Sequence, residues 1–191
     1  MSAIMCSGFK AAGVASGLKK NGKKDLGLIY SQVPANVAGL FTKNRVKAAP
    51  VLLDMELMKS GICQAIIVNS GNANCCTGEQ GMHDARTMTS LAASELGISK
   101  DLVFVASTGV IGEPLPIEKI KTAVSDLVRS LQPDGILDLA RSIIDNRHGP
   151  QDGLGTGSCG RESFYRYRCC QRRRNDPSGY GHHALLYLYR C

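Results

Sequence analysis

The stretch of this chain best suited to chemistry is a Ser-Thr-Gly triplet that follows an apolar run. Residues 102–106 read Leu-Val-Phe-Val-Ala, and Ser107, Thr108 and Gly109 come directly after them. The run predicts a buried strand that stops at the triplet, since glycine allows a sharp turn there. At such a strand end, the Thr108 hydroxyl and the Gly109 amide could donate hydrogen bonds to a developing oxyanion. The same residues are also typical of a strand that simply ends in a tight turn.

A second polar loop lies upstream, where Asn69-Ser70-Gly71-Asn72-Ala73-Asn74 follows an apolar strand predicted over Ile62–Asn69. Its side chains could present amides and carboxamides to a substrate, or could satisfy only their own backbone. Cys75 and Cys76 come next, with no second pair at the spacing of zinc ligands, so we interpret them as ordinary thiols. His83 has no obvious partner and is predicted to be structural.

Strands and helices must hold these loops, and the periodicity of apolar residues predicts both. Asn21-Gly22 is typical of a hairpin turn, because both residues tolerate positive φ. Strands are predicted at Leu26–Ser31 and, after Pro34, at Val37–Thr42; helices are predicted at Val51–Ser60, Gly78–Leu96 and 117–131, and from Asp134 to Ile144. Hairpins followed by alternating strands and helices indicate an α/β fold of two or more layers. We expect Val103–Ser107 to be an interior strand, with Thr108 and Gly109 at its exposed end.

The composition is ordinary for a soluble globular protein, with 191 residues, 43% hydrophobic and 20% charged. No apolar run reaches membrane-spanning length, and the N-terminus lacks the pattern of a secretory signal. Eight cysteines without such a signal indicate reduced thiols. We therefore expect a cytoplasmic protein that does not contact a membrane.

The last quarter of the chain differs in composition from the rest. Residues 145–191 contain eight arginines and no lysine, valine, isoleucine or methionine, together with six of the ten aromatic residues and half of the cysteines. Such a break predicts either a second module or a damaged end of one module. We place the boundary between residues 1–144 and residues 145–191.

Three ordered motifs in the first region resemble the ornithine acetyltransferase family, the bifunctional glutamate N-acetyltransferases of arginine biosynthesis. They are GFKAAGVASGLK from Gly8, IIVNSGNAN at 66–74 and VFVASTGVIGEPLP at 103–116. The resemblance covers residues 8 to 144 and implies an α/β fold, a layered α-β-β-α sandwich with mixed sheets, that is incomplete here. Residues 1–144 would be its N-terminal, alpha-chain region.

The resemblance also implies an activity and a site. In that family an acetyl group passes from N2-acetylornithine to a threonine nucleophile and then to L-glutamate, and many members also accept acetyl-CoA as the donor. No cofactor or metal is implied. The Thr-Gly of the STGVIG motif forms the oxyanion hole, which carries over to Thr108 and Gly109. The threonine is freed by self-cleavage at an Ala-Thr-Met-Leu motif, and the resulting C-terminal beta chain joins the alpha chain in a heterotetramer.

Residues 145–191 contain neither that cleavage motif nor the family's preceding Thr-Thr-Asp-Thr strand. A shift of reading frame accounts for both absences. We remove one base from codon 144 and choose, for each later residue, a codon that the genetic code permits for it. In the new frame, residues 144–149 then translate as MTTDTV, and the stretch from Phe164 translates as FTVTGVAKGAGMIRPDMATMLCFICTD. We therefore predict that residues 145–191 are an Arg-rich, out-of-frame tail without a shared core, and that this chain lacks the nucleophile and is inactive alone.

The alternative is that the tail is a genuine module and the protein is not an enzyme. Residues 165–174 mix arginines with aromatics, as nucleic-acid binders do. A zinc site could also be assembled on paper from Cys159, Cys169, Cys170, His182, His183 and Cys191. Neither set has a known ligand spacing, so we do not expect nucleic acid as a partner. The body could also serve only as a scaffold.

Overall fold

The computed structural model describes residues 7–20 and 22–143, together with the backbone of three strands between residues 154 and 189. Its strands are β1 (Phe9–Val14), β2 (Leu26–Phe41), β3 (Ile62–Asn72), β4 (Val103–Val110), β5 (Leu154–Cys159), β6 (Glu162–Cys169) and β7 (Ala184–Tyr189). Its helices are α1 (Ala49–Leu57), α2 (Gly78–Leu96), α3 (Ile117–Arg129) and α4 (Ile136–Ile143). The predicted α/β class with a mixed sheet is confirmed.

The sheet runs in the order β4-β3-β2-β7-β6-β5, and β1 also pairs with β2. Strands β3 and β4 are parallel, whereas the other pairs are antiparallel. The parallel pair is joined by α2, the crossover that parallel strands require. This pair carries both polar loops singled out in the sequence.

Apolar side chains alternate between the two faces of the sheet, as period-two strands dictate. One face packs against α2 and α3 and includes Leu28, Ile67 and Val105. The opposite face packs with α4 and includes Ile66 and Phe104. Burial of these two faces holds the parallel pair in place from both sides.

The predicted strand at the Ser-Thr-Gly triplet is buried, since Phe104 and Val105 are 0% and 1% exposed. It is not interior to the sheet, however, because β4 is the end strand of the described order. Helix α1 covers this edge, where the Asp54 carboxylate accepts the hydrogen bond of the Val105 amide at 3.0 Å. The covering helix satisfies the open edge of β4, and the helices on the two sides of the sheet explain why this end strand can be apolar on both faces.

The prediction of two separate strands around Pro34 is wrong. Strand β2 is continuous from Leu26 to Phe41, and its pairing with β3 shifts register between Tyr30 and Ala35. Proline cannot donate a ladder hydrogen bond, so an irregularity of this kind is where a strand tolerates it. The first half of β2 therefore pairs with β1 and β3, and its second half pairs with β3 and β7.

The remaining predicted elements differ mainly at their ends. The first helix begins at Ala49 and becomes a 3₁₀ turn over Met58–Ser60, and Gly61 ends it with φ 68°. The last helix begins at Ile136, two residues after Asp134. Strands β1 and β2 are antiparallel neighbours joined through the charged loop that contains Asn21-Gly22, as the sequence predicts, and Gly22 has a positive φ of 67°. Asn21 itself lies outside the described residues.

Strands β5, β6 and β7 lie within the segment predicted to be an out-of-frame tail, and β7 pairs with the second half of β2. Only their backbone is described, so the prediction that the tail adds no core stays a prediction. The proposed zinc ligands and the arginine-aromatic run likewise have side chains outside the described residues. None of the helices in the described ranges is long and apolar enough to cross a membrane.

Candidate functional site at the ends of two parallel strands

The polar ends of β3 and β4 lie side by side because the two strands are parallel and in register. Ser70 pairs with Thr108, and Gly71 pairs with Gly109. In open α/β sheets, ligands bind at the carboxyl ends of such strands, where loops diverge and backbone groups are no longer taken up by the ladder. The structure thus brings the two sequence motifs into one place.

Gly109 has a backbone that only glycine suits. Its φ is 136°, a value that L side chains rarely adopt. A Cβ atom built there would lie 2.3 Å from the carbonyl carbon of Gly71 and 2.5 Å from the amide nitrogen of Asn72. Both contacts are with backbone, so they cannot be relieved by a side-chain rotation. The glycine therefore permits a close approach between the ends of β3 and β4.

Thr108 does not lie at an exposed strand end, and that prediction is wrong. It is 2% exposed, and β4 continues two residues beyond it. The loop after β3 runs alongside: Ala73 donates its amide to the carbonyl of Val110 at 2.8 Å, and Gly112 donates to the carbonyl of Cys75 at 2.9 Å. This paired loop removes Thr108 from solvent, in a setting where water screens electrostatic interactions less.

The asparagine-rich loop mostly satisfies its own and neighbouring backbone. Asn69 accepts from the Ser107 hydroxyl at 2.6 Å and donates to the carbonyl of Asn72 at 2.9 Å. Asn72 donates to the carbonyl of Glu113 at 3.0 Å and accepts from the amide of Asn74 at 2.8 Å. Of the two interpretations of this loop, the structure favours the backbone-satisfying one for these side chains. Their role is to shape the strand ends.

Asp25 anchors a third segment against the site, and the sequence pattern did not identify it. This buried carboxylate accepts hydrogen bonds from the amide and hydroxyl of Ser16 at 2.6 and 2.8 Å and from the amide of Lys19 at 2.8 Å. Its own carbonyl accepts from the Ser70 amide at 2.8 Å. The loop held in this way places Leu18 about 3.5 Å from the position of a Cβ on Gly71. The first motif, GFKAAGVASGLK, therefore borders the strand ends.

The end of α4 completes this border. The Ser70 hydroxyl donates to the carbonyl of Ser142, and the Lys19 ammonium donates to the same carbonyl at 3.3 Å. Positive charge at the C-terminal end of a helix is stabilising, because the last carbonyls carry partial negative charge. Ser70, Lys19 and Ser142 thus connect three elements that are distant in sequence.

Asp54 supports β4 from outside the site. The side chain is 1% exposed, and one oxygen accepts from the Val105 amide while the other has no hydrogen-bond partner among the described residues. Burial raises the pKa of this carboxyl well above its ordinary value, and the Val105 hydrogen bond offsets the rise only in part. Burial, together with nearby Asp54, also raises the pKa of the Cys63 thiol. Neither group is suited to act as an exposed base.

A polar groove of about 390 Å³ lies apart from the strand ends, between the end of β1 and the α3–α4 connection. Lys24 and Asp138 form an ion pair at 2.8 Å within its lining. The hydrogen bond from Lys24 lowers the pKa of the Asp138 carboxyl. Thr108 and Gly109 are not part of this groove, and no group of three or more metal-binding side chains occurs in the described ranges.

Comparison with known proteins places these features in a family. Residues 10–147 match the ArgJ family. The Arginine biosynthesis bifunctional protein ArgJ of Geobacter sulfurreducens is 49% identical over 80% of this chain, and that of Caldanaerobacter subterraneus is 53% identical over 72%. The chain spans only 39% and 34% of the lengths of these two relatives.

Solved structures agree with the sequence comparison. The ornithine acetyltransferase of Mycobacterium tuberculosis, solved in complex with ornithine, aligns with a TM-score of 0.73 and 30% identity, covering 86% of each chain. The Arginine biosynthesis bifunctional protein ArgJ of Bacillus halodurans aligns with a TM-score of 0.71 and 30% identity, covering all of this chain and 90% of that one. The family match covers well over half of the residues and includes both strand ends of the candidate site. This chain belongs to the ArgJ family.

Proposed function

We propose that this chain represents part of an acetyltransferase that moves an acetyl group from N2-acetylornithine to L-glutamate in arginine biosynthesis. Membership of the ArgJ family and the likeness to an ornithine-bound acetyltransferase support this assignment of the substrates. Acetyl-CoA is proposed as a further donor substrate, and a cytoplasmic setting belongs to the same proposal. The reaction uses no cofactor in this scheme.

Thr108 and Gly109 are proposed as the oxyanion hole. The observation that carries this assignment is the backbone of Gly109, whose φ of 136° and close approach to Gly71 set the direction of the peptide groups at the strand end. Attack on an acetyl carbonyl places negative charge on its oxygen, and donors held rigidly at that position stabilise the charge without reorganising. A buried strand end that pairs with β3 and with the loop after it supplies such rigidity.

The same scheme proposes that this chain does not catalyse transfer alone. The sequence contains no Ala-Thr-Met-Leu site. In the family that this chain resembles, cleavage at that site produces the nucleophile and the beta-chain partner. Without a nucleophile, the oxyanion donors have no tetrahedral intermediate to stabilise, and only residual catalysis is expected. Restoring the reading frame after codon 144 would restore the cleavage site.

The test compares acetylornithine-dependent formation of acetylglutamate by this chain, by the frame-corrected protein and by corrected variants. We expect activity only after correction. Thr108→Ala should lower the rate about a hundredfold or more, and Thr108→Ser, which keeps the hydroxyl, should recover much of it. Thr122→Ala is the matched control, because Thr122 is exposed on α3 and donates only to the carbonyl of Lys119.

Three results would contradict the proposal in different ways. Full activity of the uncorrected chain would refute the missing nucleophile and leave the oxyanion hole untouched. An unchanged rate for Thr108→Ala, with the corrected enzyme active, would refute the role of the threonine while retaining the acetyl transfer. A corrected protein that cleaves itself yet transfers no acetyl group would refute the substrates.

A further inference from the structure

Two adjacent cysteines lie directly after the asparagine-rich loop, and their sulfur atoms face each other. The Sγ atoms of Cys75 and Cys76 are 3.8 Å apart. Cys76 is exposed, whereas Cys75 is 1% exposed and packs in a small cluster with Ala48, Val51 and Ala73. Neither thiol forms a disulfide. One sulfur is thus fixed in the interior and the other is open to solvent.

The backbone holds this pair in one arrangement. Asn74 and Cys76 both have positive φ, at 43° and 60°, a conformation that asparagine tolerates better than most residues and that is uncommon for cysteine. The carbonyl of Cys75 accepts from the Gly112 amide at 2.9 Å, and the carbonyl of Asn74 accepts from the Ala49 amide at 3.4 Å. The backbone that carries the two sulfurs is therefore held in place by the fold.

The separation of the two sulfurs suits a metal ion better than a disulfide. The Cα atoms of consecutive residues lie about 3.8 Å apart, which is below the range of about 4.4–6.8 Å usual for disulfides. A tetrahedral ion with metal–sulfur bonds of about 2.3 Å instead places two thiolates about 3.8 Å apart. The observed distance matches that value without movement of either side chain.

We propose that Cys75 and Cys76 form a bidentate site for a soft divalent cation of the Zn²⁺ and Cd²⁺ class. Each thiol loses its proton when the cation binds, so two metal–sulfur bonds form and two protons are released. The described residues bring no third metal-binding side chain to the pair. The other coordination positions are open to water or added ligands, and the cation enters from the exposed Cys76 side and exchanges readily.

The test is a titration of the reduced full-length chain with Cd²⁺. Binding is monitored by the ultraviolet charge-transfer absorbance of cadmium–thiolate bonds, and native mass spectrometry counts the bound ions. Every protein carries Cys169→Ser, because Cys169 and Cys170 form the other adjacent cysteine pair of the sequence. We expect one Cd²⁺ per chain at the proposed site. Cys76→Ala should weaken its affinity by about tenfold or more, since losing a metal ligand costs more than losing a group that only hydrogen-bonds to a ligand.

Cys63→Ala is the matched control, because Cys63 is a single buried cysteine in β3 and should not affect the titration. Cys75→Ala should weaken binding as Cys76→Ala does. Equal Cd²⁺ affinity of the Cys76→Ala protein and its parent would overturn the proposal. Binding that appears only after the chain is unfolded in urea would overturn it as well.

Discussion

The close approach of β3 and β4 at the candidate site makes a quantitative prediction for Gly109→Ala. The added methyl group would meet the backbone of Gly71 and Asn72 at 2.3 and 2.5 Å, so one strand end must move. Overpacking of this kind costs about 1–3 kcal/mol. The φ of 136° lies beyond the left-handed helical region, and holding a residue with a Cβ there adds about 1–3 kcal/mol. We expect the free energy of unfolding to fall by about 2–6 kcal/mol, a large part of the stability of an ordinary domain.

Gly97→Ala is the control for a positive φ without a collision. Gly97 ends α2 with φ 67°, and a Cβ there meets nothing within 4 Å. This variant has only the cost of a left-handed conformation, so it should lose about 1–2 kcal/mol. Urea unfolding followed by far-ultraviolet circular dichroism measures both variants against the parent chain. If Gly109→Ala loses no more stability than Gly97→Ala, the close approach does not constrain residue 109 and the reasoning is wrong.

Two further predictions concern groups that hold the site strands. The raised pKa of Asp54 means that the folded state binds a proton at this carboxyl more tightly than the unfolded state does. The protonated carboxyl therefore contributes fully to stability below the ordinary pKa of 3.8, and this contribution is lost as the pH rises toward the pKa of Asp54 in the folded state. Asp54→Asn keeps an acceptor for the Val105 amide and should remove this loss of stability. In urea titrations from about pH 4 upward, the free energy of unfolding of the variant relative to the parent should therefore increase with pH. A difference that does not depend on pH would contradict the burial of a charge at Asp54. Ser70→Ala removes the buried hydrogen bond to the Ser142 carbonyl and should lower the free energy of unfolding by about 1–2 kcal/mol. The control is Ser60→Ala, on the exposed end of the first helix, which should change the free energy of unfolding by less than about 0.5 kcal/mol. Equal losses for the two variants would show that Ser70 does not connect β3 to α4.

Local patterns predicted most elements of residues 7–143, because their signals are contained within single segments. The apolar run 102–106 indicated a buried strand, and α2 ends at Gly97 as the pattern required. Strands β1 and β2 pair on either side of the loop that contains Asn21-Gly22, as the turn residues predict, because glycine tolerates the positive φ of 67° found at Gly22. Pro34 was interpreted as a break because its missing N–H is visible in the sequence, while the register shift that accommodates it is not.

The family motifs, the residues Thr108 and Gly109, and the apolar periodicity that buries β3 and β4 can all be recognised in the sequence. Packing between distant segments brings Asp54, 51 residues before Val105, to the edge of β4, and Ser142, 72 residues after Ser70, to the site border. It also buries Thr108 and brings the two adjacent thiols to 3.8 Å from each other. The difference is one of range along the chain. Propensity and periodicity act over a few residues, whereas the partner of a buried polar group is chosen by packing between elements that no local pattern brings together.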